Sequence, residues 1–88
     1  SPVPLAQTFT EKGRLLKIVK TAVSDNENGN AAPGTVVSVD GGRICVACGE
    51  GCVDILTLIP EGKSKMSAAD FVRGRGISAG EFLCRDKK

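Results

Sequence analysis

Between residues 34 and 60, glycine and proline cut the chain into runs too short for a helix of ordinary length. Gly34-Thr35-Val36-Val37-Ser38-Val39 is followed by Asp40-Gly41-Gly42, a tight turn of the kind that wants positive φ. Arg43 to Ala47 comes next, then the turn Gly49-Glu50-Gly51, then Cys52 to Ile59, stopped by Pro60. Val and Ile dominate these runs, and both favour the pleated, half-buried surface of a strand. Upstream, Leu15 to Val23 is a longer β-rich run. Leu16 and Ile18 share one face, while Thr21 and Val23 continue in the opposite phase. A change of phase inside a strand predicts a bulge near Val19 or Lys20.

One segment escapes this pattern. Residues 60–80 read as a basic loop, a short capped helix and a glycine-rich exit. Ser67 is a good N-cap, and Asp70 sits three residues on, near the N–H groups a helix start leaves unpaired. Met66 and Phe71 flank the cap at the spacing of a hydrophobic staple. Gly74 and Gly76 end the helix, so Gly74-Arg75-Gly76 reads as a C-cap and not as a nucleotide loop.

Residues 1–9, with Pro2 and Pro4, read as an extended entry segment. Residues 24–34 read as a loop, 81–84 as a fifth strand, and 85–88 as a frayed tail. The expected fold of residues 10–84 is therefore a mainly β, OB-like Greek-key barrel of about five strands. Its one short helix lies between strands four and five, and an SH3-like barrel is the second candidate. Hydrophobic content is 41% and the aromatics are only Phe9, Phe71 and Phe82, so Val, Ile, Leu, Ala and Cys must build the core. Phe71 and Phe82 are expected inside it. No apolar run approaches the ~18 residues of a membrane span, and no secretory signal is present. The start on Ser1, without an initiator Met, reads as a piece of a longer protein or a processed one.

Cys45, Cys48, Cys52 and Cys84 invite a metal or redox reading. The order C-x-x-C-x-x-x-C is the reverse of the radical-enzyme pattern, no His completes a zinc set, and the fourth Cys stands far away. Cys45 alternates with Ile44 and Val46, so it is expected to point away from the core. A redox C-x-x-C normally opens a helix, which this one does not. Four structural or surface thiols are expected, folding without metal or disulfide. The chain has no His, no nucleophile beside a base and no phosphate loop. Asp40, Glu50 and Asp54 form no acid/base pair and are expected to be solvated. The chain alone is expected to be non-catalytic.

A binding module remains. Twelve basic and ten acidic residues give a net charge of only +2, but residues 1–60 carry −1 and residues 61–88 carry +3. Lys63, Lys65, Arg73 and Arg75 cluster around the helix, with Lys17 and Lys20 as further candidates for phosphate contacts. Without Trp or Tyr, base stacking is poorly supplied. An ordinary solvated basic loop would have the same composition.

Several motifs, in order, resemble the C-terminal domain of the methionyl-tRNA formyltransferase family. They are Pro2-Val3-Pro4-Leu5-Ala6 with Thr8, Lys17-Ile18-Val19-Lys20, Ala32-Pro33-Gly34-Thr35-Val36, Val46-Ala47-Cys48-Gly49-Glu50-Gly51, Pro60-Glu61-Gly62-Lys63, Met66-Ser67-Ala68-Ala69-Asp70-Phe71 and Gly74-Arg75-Gly76. The family commonly lacks Cys at positions 45, 48 and 52. The resemblance implies an open OB-like barrel from a cytoplasmic, monomeric enzyme that formylates methionyl initiator tRNA with 10-formyltetrahydrofolate. Catalysis would reside in an N-terminal domain, and this chain would need no cofactor of its own. It would help hold the tRNA, with Lys63 and Lys65 as its loop lysines. Sugar-nucleotide formyltransferases and formyltetrahydrofolate dehydrogenases carry a similar, chiefly structural barrel, and are the alternative parents.

Overall fold

The structure, a computed structural model, describes residues 6–24, 31–49 and 51–84. The elements in chain order are β1 (Ala6–Thr10), β2 (Leu15–Val23), β3 (Val36–Ser38), a 3₁₀ turn (Asp40–Gly42), β4 (Ile44–Ala47), β5 (Cys52–Pro60), β6 (Met66–Ser67), α1 (Ala68–Arg73) and β7 (Leu83–Cys84). The expected barrel with one short helix is present, with two more strands than anticipated. The short β6 is one. The other is β1, because residues 6–10 do not merely run extended but pair with both β2 and β7. Residues 1–5 and the expected frayed tail at 85–88 lie outside the described residues.

All strand pairs are antiparallel, in the order β3-β4-β5-β2-β1-β7. Three hairpin-connected strands, β3 to β5, stand beside a β2 that reaches them through a long connection, which is a Greek key. A bridge from Thr35 to Phe82 joins the two ends of the sheet and nearly closes the barrel. Closure brings backbone against backbone at Gly34. Its N–H donates to the Ala47 carbonyl (2.9 Å) and its own carbonyl accepts from the Leu83 N–H (2.8 Å). A Cβ at Gly34 would lie 2.6 Å from the Leu83 oxygen, and its φ is +96°, so only glycine fits this seam.

The bulge falls where the phase change predicts it. Ile18 pairs with Leu58 and Lys20 with Thr57, leaving Val19 as an extra residue in β2. Leu16 is fully buried before the bulge, while Thr21 and Val23 after it enter the inward phase beyond the core and stay exposed. The interior holds Leu16, Val36, Ile44, Val46, Ile55, Leu58, Ala68, Phe71 and Ile77. Burying each large aliphatic here contributes on the order of 1.5–3 kcal/mol.

Helix α1 plugs one mouth of the barrel. Ser67 Oγ accepts the Asp70 N–H at 3.1 Å, the expected N-cap. Phe71 is 4% exposed, and Met66 packs against the cluster that contains it. The helix ends at Arg73 as the glycines predict, in a Schellman motif: Gly76 N–H bonds to Phe71 O and Arg75 N–H to Val72 O, both at 2.9 Å. The left-handed residue of that motif, however, is Arg75 (φ 63°) and not a glycine. Gly76 is favoured for a different reason, because a Cβ there would run into the ring of the buried Phe71.

Three expectations about side chains are corrected. Cys45 projects from the opposite face to Ile44 and Val46, yet it is 2% exposed, because all four residues of β4 are buried. Asp54 is not solvated. It is buried opposite Cys45 and takes an ion pair from Arg43 Nη1 at 3.2 Å. Phe82 is not in the core but 45% exposed at the closing bridge.

Candidate functional site

Strand β1 turns into β2 through Glu11-Lys12-Gly13. Thr10 N–H bonds to Arg14 O (2.9 Å) and Gly13 N–H to Thr10 O (2.8 Å), with Gly13 at φ 84°. This is a three-residue hairpin loop whose glycine takes the left-handed position. Beside it, the turn after β5 is tied to the start of β2. Glu61 N–H bonds to Leu15 O and Glu61 Oε1 accepts the Leu15 N–H, both at 2.8 Å.

These two turns and the helix exit enclose an open cleft of about 570 Å³. Thr10, Lys12, Gly13 and Arg14 from the first turn, Glu61 from the second, and Gly74, Arg75 and Gly76 from the helix exit line it. Three cationic residues and one acidic residue thus line the cleft, and one oxygen of that carboxylate is already bonded to backbone.

The six basic residues singled out from the sequence do not form one patch. Arg75 lines the cleft. Lys63 is exposed in the same turn as Glu61, and Lys65 is exposed just before β6. Arg73 is exposed but paired with Asp70 at 3.1 Å, an i,i+3 contact within the helix. Lys17, half-buried, pairs across β1 and β5 with Gln7 and Ile59, one step from the Pro60 turn. Lys20 is exposed at the bulge opposite Thr57. Neither Lys17 nor Lys20 lines the cleft.

The sequence reading missed Lys12 and Arg14. The available signal was a glycine-containing tripeptide, Glu11-Lys12-Gly13, between two β-capable runs, which marks a hairpin with a bulge. It also missed Phe82 as an exposed aromatic. The Phe82 N–H donates to Glu11 Oε2 at 2.8 Å, which holds it next to this hairpin.

A second cluster lies on the outer face of β4 and β5. Cys45, Ala47, Cys52 and Asp54 are all buried there, and Ser24 Oγ is 3.5 Å from Cys45 Sγ. Burial first, then the Cys45 hydrogen bond and the neighbouring thiols and carboxylate, push the Cys52 thiol above its ordinary value. This keeps Cys52 protonated, the opposite of a reactive thiolate. Among the described residues, no three His, Cys, Asp or Glu side chains converge as a metal set.

Residues 1–76 match the family model described as "Formyl transferase, C-terminal domain". The chain belongs to this family. Curated relatives of the formyltransferase C-terminal domain agree, each named methionyl-tRNA formyltransferase. The one from Methylobacterium sp. (strain 4-46) is 41% identical over 83 residues, covering 94% of this chain and 26% of the relative. That from Myxococcus xanthus (strain DK1622) is 44% identical over 80 residues, covering 91% and 24%. That from Streptococcus pyogenes serotype M28 (strain MGAS6180) is 36% identical over 87 residues, covering 97% and 27%. This formyltransferase domain therefore spans about a quarter of the length of the relatives it matches.

Proposed function

We propose that this chain is the C-terminal domain of a methionyl-tRNA formyltransferase and that its exposed cations hold the tRNA. The whole enzyme would transfer a formyl group from 10-formyltetrahydrofolate to methionyl initiator tRNA in the cytoplasm, using an N-terminal catalytic domain. The observation that carries this reading is the family match, joined to exposed cations: Lys63 and Lys65 in the β5–β6 loop, and Arg75 at the helix exit. Phosphate contacts by Lys and Arg position a nucleic acid without reading its sequence. The domain should accordingly bind tRNA with a Kd of roughly 10⁻⁴–10⁻⁶ M and little sequence preference.

A titration of wild type and Lys63→Ala/Lys65→Ala at several salt concentrations tests it. Removing each lysine that neutralises a phosphate should flatten the log–log salt slope by about one unit, and all tRNAs should weaken alike. Unchanged affinity and slope would leave the loop as ordinary solvated surface and the barrel as a structural element of its parent enzyme.

A further inference from the structure

Lys12, Arg14 and Arg75 reach one cleft from two segments far apart in sequence. Arg43 and Arg73 are neutralised by Asp54 and Asp70, whereas among the described residues these three have no ion pair. The nearby carboxylates are committed elsewhere: Glu11 Oε2 to the Phe82 N–H and Glu61 Oε1 to the Leu15 N–H. Those bonds do not discharge the carboxylates, but three cations against the one carboxylate of the lining leave the cleft positive.

The backbone at Arg75 supplies a second observation. Among the described residues it is the one non-glycine at positive φ, and it stands between two glycines. Its position in the Schellman motif is one that glycine fills without steric strain. An arginine here keeps a strained conformation at a position that lines the cleft.

We propose that this cleft takes one phosphate group of a nucleic-acid backbone, gripped by Arg75 from the helix exit and by Lys12 and Arg14 from the first turn. The proposal rests on the tRNA reading above and adds a defined site to it. A guanidinium offers a planar fork that matches two phosphate oxygens, and the lysine adds a point charge. An open cleft of about 570 Å³ leaves room for the sugars on either side of a phosphodiester.

The test is Arg75→Gly, followed by thermal unfolding and by tRNA titration across a salt series. Relief of the left-handed arginine should raise Tm. Affinity for tRNA should nevertheless fall about tenfold, with a salt slope about one unit shallower. Opposite movements of stability and binding cannot come from unfolding. Lys12→Ala/Arg14→Ala, which alters the first turn, should show a similar loss of affinity and slope. If both variants bind tRNA like wild type while Lys63→Ala/Lys65→Ala is weakened, the cleft proposal falls and the tRNA reading stands. If wild type binds no tRNA but binds inorganic phosphate in a ³¹P titration that Arg75→Gly abolishes, the backbone assignment is overturned in favour of a free anion. If wild type binds neither, both readings fall.

Discussion

Gly34→Ala and Gly51→Ala form a matched pair that measures how the barrel is closed. Both glycines lie at positive φ, +96° and +73°, so alanine meets the same kind of backbone penalty at each, about 1–2 kcal/mol. The surroundings differ. Nothing lies within 4 Å of a Cβ at Gly51, whereas at Gly34 the Leu83 carbonyl oxygen would be 2.6 Å away. Ordinary contact begins at 3.4 Å, so the shortfall is about 0.8 Å, and the obstacle is backbone that no rotamer change can move. To admit the methyl group, β7 must shift off the β3 side. The hydrogen bonds from Gly34 to Ala47 and from Leu83 to Gly34 are then stretched or broken. At about 0.5–1.5 kcal/mol each, these add about 1–3 kcal/mol to the backbone penalty. Gly34→Ala should therefore cost about 2–5 kcal/mol, against a total stability of roughly 4–13 kcal/mol for a domain this size. At about 4–8 °C per kcal/mol, Tm should fall by about 8–40 °C for Gly34→Ala, which is about 4–24 °C more than for Gly51→Ala. Thermal and urea unfolding of both variants gives the comparison. Amide exchange should also speed up at Leu83 and Val36 in Gly34→Ala alone. Two variants within about 0.5 kcal/mol of each other would refute the argument that closure depends on this close approach.

Ser67→Ala removes the N-cap oxygen and should cost about 0.5–2 kcal/mol, while Phe71→Ala empties the barrel mouth and should cost about 3–5 kcal/mol; a denaturation series checks the order. Arg43→Ala leaves the Asp54 carboxylate buried without its cation and should cost about 1–3 kcal/mol by urea unfolding, with Arg43→Lys partly restoring it. Cys52 keeps its proton in the folded state at pH values where the unfolded chain, titrating near 9.0, has lost it. Its contribution to stability is thus present below pH 9.0 and is lost as pH rises through the higher native value. Stability of wild type should fall more steeply than that of Cys52→Ala above pH 9.0, and a parallel decline would contradict the assigned burial.

Much of this architecture was legible because short-range chemistry decides it. The bounds of β2 at Leu15 and Val23, its bulge, the Ser67 cap and the positive φ of Gly41 and Gly42 follow from phase, capping oxygen and turn type. Errors arose where a second layer or a distant segment intervened. Alternation told which face Cys45 occupies, but not that the outer face of β4 is covered as well. Asp54 looked like surface because nothing local announces Arg43, eleven residues away, as its partner. That the left-handed position falls on Arg75 and not on a neighbouring glycine is tertiary, since the register sets Gly76 against the Phe71 ring. The cleft was invisible for the same reason. Lys12 and Arg14 meet Arg75 only after the barrel has folded.

The seam that closes the barrel also governs when it can form. Thr8 Oγ1 donates to the Cys84 carbonyl across 76 positions, and the Phe82 amide reaches Glu11 across 71. Contacts of that separation must wait for a loop of nearly the whole chain to close, and topologies dominated by them fold in milliseconds to seconds. On a ribosome, β1 and β3 would stay without their shared neighbour until β7 had emerged. The exposed edges would be at greatest risk of wrong pairing in that interval. A chain truncated after residue 81 should accordingly lose cooperative unfolding, and sharp two-state unfolding of that truncation would show that the last strand is dispensable to the fold.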